Sequence, residues 1–123
     1  MAAFSNYLEN ELINGTLRAT SYTAPTTVYV ALFTDDPTDA GTGTELSGNG
    51  YARQSATFAA PSDGAATTDA DVQFPQATGT QGTVTHFAIF DALTTGNMMY
   101  HGALTTSKLI EIGDVFKIAS GAL

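Results

Sequence analysis

Two histidines, His86 and His101, are the side chains in this sequence best suited to bind a metal or move a proton. The chain has no cysteine, so a zinc site would need a His-His-carboxylate set with Asp91 or Asp114. Asp35, Asp36, Asp39 and Glu45 could offer oxygen ligands to calcium, but their spacing does not follow the EF-hand loop. Carboxylates beside Pro37, Gly41 and Gly43 are also ordinary turn formers, because short acidic side chains accept from nearby backbone N–H groups. Serine hydrolysis lacks its Gly-x-Ser-x-Gly elbow, and Ser120-Gly121 falls at the very end of the chain. Gly41-Thr42-Gly43 and Gly48-Asn49-Gly50 lack the lysine and following helix of a phosphate loop. A carboxylate-pair glycosidase needs an aromatic-lined cleft, whereas this chain has no Trp and carries its acids mainly in turns. The residue types therefore predict no catalytic residue, no cofactor and no resident metal.

Both histidines sit in the stretch that the rest of the chain must surround. Residues 82–91 and 97–104 read as two β-strands joined by a polar turn at residues 92–96. Strict alternation places Val84, His86, Ala88 and Phe90 on one face, and Thr85, Phe87, Ile89 and Asp91 on the other. A strand apolar on both faces belongs in the middle of a sandwich or at an interface. His86, flanked by apolar neighbours, is expected to be a core histidine bonded to a backbone carbonyl. His101 is expected near it across the hairpin.

Upstream, residues 5–17 carry the helix signal. Phe4, Leu8, Leu12 and Ile13 recur at helical spacing with Tyr7 beside them, Ser5 can cap, and Glu9 and Glu11 suit the positive end of the helix dipole. Asn14-Gly15 is a plausible stop, although Leu17-Arg18 could continue the helix. Residues 26–34 follow Pro25 and form the most strand-like run, with Val28, Val30 and Leu32 opposite Tyr29, Ala31 and Phe33. Residues 35–50 form a long loop, of the kind that often makes contacts. Residues 51–60 alternate again. A turn at Pro61-Ser62-Asp63-Gly64 and a short edge strand at residues 70–74, closed by Pro75, come next. Residues 107–112 and 115–119 are expected to form a last pair of strands across Gly113-Asp114. Arg53 is expected to form an ion pair with a loop carboxylate such as Asp35 or Asp36, or else with a neighbouring subunit.

Six to eight short strands, one helix and no βαβ alternation predict a mainly β fold: an antiparallel β-sandwich or jelly-roll-like barrel with one N-terminal helix. The 123 residues predict a single domain, residues 1–123, with a helical arm at 1–20 and the β-sandwich at 26–119. Four basic residues against twelve acidic ones argue against nucleic-acid binding, which needs clustered Lys and Arg on the phosphates. No apolar run reaches the roughly 18 residues of a membrane span. The N-terminus lacks the basic and apolar regions of a secretion signal. Dense Thr and Ser with few long charged side chains suits β-surfaces buried against copies of the same chain.

Several stretches together resemble a family of small tailed-bacteriophage virion proteins, often labelled tail fibre or head decoration proteins. They are Ser5-Asn6-Tyr7-Leu8-Glu9-Asn10, Val28-Tyr29-Val30-Ala31-Leu32-Phe33-Thr34, and residues 36–45 from Asp36-Pro37-Thr38-Asp39 to Thr44-Glu45. Gly50-Tyr51-Ala52-Arg53-Gln54, Gly82-Thr83-Val84-Thr85-His86-Phe87 and residues 100–108 from Tyr100-His101-Gly102 to Ser107-Lys108 complete the set. The resemblance implies a non-enzymatic virion structural protein, assembled in the host cytoplasm, with no catalytic residues to carry over. Without a coiled-coil stalk or repeat to give reach, the compact chain fits a cement protein. It would bind the major capsid protein or other virion proteins as a homo-oligomer, with a trimer favoured, and stabilise the assembled shell by mass action and avidity. A tail fibre or receptor-binding module is the alternative. The expected contact residues are Phe4, Tyr7 and Leu8 in the arm, Asp35, Asp36, Asp39 and Glu45 in the acidic loop, and Arg53.

Overall fold

A computed structural model describes residues 2–123. Its framework is an antiparallel five-stranded sheet built from β1 (Ala3–Phe4), β2 (Val28–Phe33), β3 (Gln54–Ala56), β5 (Gly82–Phe90) and β6 (Met98–Ile110), in the order β1-β6-β5-β2-β3. A two-stranded sheet of β4 (Val72–Gln73) and β7 (Lys117–Ile118) forms a second, smaller layer. The fold is mainly β, as expected. The larger sheet keeps two free edges, at β1 and β3, so it is not the closed barrel that stood as one alternative.

β5 lies between β6 and β2 in the sheet. Its two faces feed different clusters. Phe87 and Ile89 join Val30, Leu32, Met99 and the second-layer residues Val72, Phe74 and Ile118 in the main core. Ala88 and the half-buried Phe90 join Ala31, Phe33 and Met98 on the opposite side. The strand apolar on both faces is therefore covered on both.

The register of this hairpin shifts at two points, once between Ile89 and Phe90 and more widely between Val84 and His86. Val84 pairs with Lys108 and His86 with Ala103, so Thr85 alone faces Leu104, Thr105, Thr106 and Ser107. This wide bulge turns the strand, and Val84 packs in the main core with Phe87 rather than sharing the face of His86. The same region corrects the expected last pair of strands. Residues 107–110 continue β6, which runs for 13 residues, because no turn former separates Leu104 from Ser107. β7 pairs with β4 instead, and β4 is an edge, as Pro75 predicts.

The helix, α1 (Asn6–Leu17), starts as its sequence predicts. The Ser5 hydroxyl accepts from the Leu8 N–H at 3.1 Å, and Ser5 is buried. Of the two expected ends it takes the later, running past Asn14-Gly15 to Leu17 with Arg18 as its cap. Ala19 adopts a left-handed φ of 54°, and the N–H groups of Arg18 and Thr20 both close onto Asn14 O at 3.1 Å. Phe4 does not belong to the helical face. It lies in β1, paired with Tyr100 of β6, and its ring meets the Tyr100 ring edge-on at 5.3 Å. Only Leu8 of the helix is buried, leaving Leu12, Ile13 and Leu17 exposed.

Candidate interaction surface

The acidic loop at residues 35–50 is rigid for local reasons. Asp35 Oδ1 accepts from the Thr44 N–H at 2.6 Å and Asp36 Oδ1 from the Thr38 N–H at 2.8 Å, so these carboxylates serve their own turns. Pro37 is fully buried, and a Cβ on Gly43 would stand 2.7 Å from Pro37 Cα, so only glycine allows the chain to close on itself there. The far end is tied to β2: Leu46 N–H donates to Leu32 O at 2.9 Å, and Thr34 N–H to Thr44 O at 3.0 Å.

Two polar contacts then tie this loop to the sheet. His101 Nε2 bonds to Asp39 Oδ1 at 2.7 Å, with Asp36 Oδ1 3.8 Å from Nδ1. His101 is buried on β6, so the contact anchors the loop over the strand. The second contact centres on Arg53, which is 8% exposed. Its Nε and Nη2 donate to the two carboxylate oxygens of Glu45, each at 2.8 Å. Its Nη1 donates to the Ala92 and Thr95 carbonyls at 3.0 and 2.8 Å. The guanidinium carbon lies 3.7 Å from the centroid of the Phe90 ring, which is stacked in turn on Phe33. Tyr51 completes the cluster, donating its hydroxyl to Glu45 Oε2 at 2.7 Å and accepting from the Leu32 N–H at 3.1 Å. Burial, with the Glu45 hydrogen bond adding to it, pushes the Tyr51 phenol far above its usual ionisation range.

The expected ion pair of Arg53 with a loop carboxylate is present. That carboxylate is Glu45 rather than Asp35 or Asp36, because a β-bridge from Phe33 to Glu45 brings Glu45 alongside the sheet while the two aspartates are engaged in turns. His86 departs from expectation. It is half-buried, and its Nδ1 meets the hydroxyl of Thr85 at 2.8 Å rather than a backbone carbonyl. Among the described residues, no group of three or more His, Asp or Glu side chains is arranged to hold a metal ion.

The expected contact residues thus divide by position. Leu8 lies in the main core, and Glu45 and Arg53 are joined to each other inside the clasp. Asp36 and Asp39 are brought together at His101 while remaining exposed, Asp35 is exposed in its turn, and Phe4 is 43% exposed on β1. Tyr7 is half-buried against the core.

A broad concavity lies away from all of these carboxylates. An open groove of about 1360 Å³ runs along β6 from Met99 to Ile110, between the 58–67 segment and the C-terminal residues. Its floor is the main core itself, reached at Phe87, Ile89 and Met99, and its rim includes Leu109, Val115 and Lys108. Leu109 and Val115, which line it, are 53% and 48% exposed. The sequence held no signal for this groove, because it arises where distant segments fail to meet over one sheet face.

A family model described as "Podophage GP4 fiber I protein gp80" matches residues 3–123. The chain belongs to that family, and so to the structural proteins of tailed phages. No curated protein matches it. Among the described residues, no helix is long and apolar enough to cross a membrane.

Proposed function

We propose that this member of the gp80 fibre family is a non-enzymatic subunit of the phage virion, built into a fibre and held there by contacts with copies of itself and with neighbouring virion chains. The observation that carries this reading is the family match, which spans nearly the whole chain. A structural role accords with the side chains, since the titratable groups able to do chemistry are bonded into the scaffold. His101 anchors a loop, Glu45 and Tyr51 are held by Arg53 and Leu32, and Asp35 and Asp36 close turns. The arm and the exposed loop carboxylates, Phe4, Tyr7, Asp35, Asp36 and Asp39, are the contacts to neighbouring chains. The working state is a homo-oligomer, with a trimer favoured, in keeping with the closed symmetry that most assemblies adopt.

A second reading, a cement protein on the outer capsid that contacts the major capsid protein, rests on one feature. The longest helix among the described residues has 12 residues, too short for a stalk that would reach a host. Electron microscopy of purified particles carrying a labelled copy separates the two. Label at the tail in low copy number is the expected result. Hundreds of copies across the head would replace the fibre reading with the cement reading, and absence from particles would end both.

A further inference from the structure

The chain carries two unpartnered apolar surfaces at different places. One is the exposed stripe of α1. At 100° per residue, Leu12, Ile13 and Leu17 fall on one side of the helix with Glu9 between them, and Leu17 is 79% exposed. The other is the groove beside β6, whose floor is the hydrophobic core and whose rim carries Leu109. None of the stripe residues lines the groove, so the helix cannot fill it within the same chain.

Their charges are complementary. The chain as a whole is acidic, with four basic residues against twelve acidic ones, yet the groove is lined by Lys108 and Lys117. Lys117 lies 3.7 Å from Asp71, and the carboxylate of the one acidic lining residue, Asp114, is engaged with the Glu111 N–H. Lys108 forms no salt bridge among the described residues. The stripe brings Glu9, exposed on the first turn. An apolar helix face carrying a carboxylate thus has a matching apolar groove with a free ammonium at its rim.

We infer that a second copy of this chain lays the Leu12–Ile13–Leu17 face of its α1 into the groove beside β6, making a head-to-tail contact. The inference rests on the proposed role as an assembling virion subunit and supplies the surfaces of that assembly. Because the two patches differ, the contact is heterologous. It closes into a ring if the rotation per copy divides the circle and otherwise extends as a filament. Each copy uses both surfaces, so the stripe and the exposed rim are covered together.

The test is the mass of the purified protein by sedimentation equilibrium. The wild-type chain is expected to exceed monomer mass. Leu17→Asp on the helix and Leu109→Asp on the groove rim are each expected to shift it to lower mass. Both positions are exposed, and an unchanged thermal melt confirms that the fold is kept; Ile13→Asp serves as a second helix variant. Mixing the Leu17→Asp and Leu109→Asp proteins supplies the decisive signature. One intact helix then meets one intact groove, so the mixture forms a dimer and stops there. A monomeric wild type, variants that retain wild-type mass, or a mixture with no dimer would each overturn the inference. Mass spectrometry of purified virions tests the functional reading separately. A monomer present in virions removes the docking and leaves the role, whereas an oligomer absent from virions removes the role and leaves the docking.

Discussion

Arg53 donates to four acceptors within its own chain, two on Glu45 and one each on Ala92 and Thr95, and also covers the Phe90 ring. A planar guanidinium suits this site because its donors point in fixed, divergent directions. Arg53→Ala is expected to cost about 3 kcal/mol, since it leaves the Glu45 carboxylate and two carbonyls without their donor. Arg53→Lys should recover only a small part, because one ammonium cannot serve a bidentate carboxylate and two turn carbonyls together; urea unfolding midpoints measure both. Tyr51 gives a pH prediction at the same site. Burial first, and the Glu45 hydrogen bond second, raise its ionisation above the ordinary 10.0. The folded chain therefore keeps a proton that the unfolded chain releases, so the stabilisation is intact below pH 10.0 and is lost as pH rises beyond it. Followed by tyrosinate absorbance as pH rises, Tyr51 is expected to ionise only together with unfolding.

Elements show where local rules held and where they gave way. The helix begins where Ser5 can cap it and runs past Gly15 to Leu17, and just beyond its cap Ala19 is the first residue in the left-handed region. An alanine there bears the Cβ strain that glycine avoids. Ala19→Gly is therefore expected to stabilise the protein by about 0.5–1 kcal/mol, read as a rise in melting temperature. The face assignment of β2 was legible, since Val30 and Leu32 enter one cluster and Ala31 and Phe33 the other. The face of Val84 was not. A bulge leaves no mark in apolar alternation, because Thr85 and the four residues opposite it are all strand-compatible. For the same reason β6 read as two strands, although it is one. Arg53 and Glu45 were each conspicuous, but their pairing depends on a β-bridge between residues with no sequence signature for it.

At the scale of the whole molecule, the acidic balance of −8 sets how the chain meets charged partners. Of its four basic residues, Arg53 is buried and Lys117 sits beside Asp71, which leaves too little positive surface to neutralise phosphates. No retardation of duplex DNA is expected in a gel-shift titration at moderate salt; a shift that weakens steeply with added salt would contradict this. Composition, alternation and turn residues determined a mainly β chain with one capped helix and a hairpin buried on both faces, because those properties depend on neighbours a few residues apart. Only the tertiary structure decided which carboxylate Arg53 holds, which strand β7 joins, where the sheet remains open, and that one side of the core lies at the base of an apolar groove. Those outcomes depend on segments tens of residues apart meeting, or failing to meet, over one sheet face, and pairings at that distance leave no periodic trace in the chain.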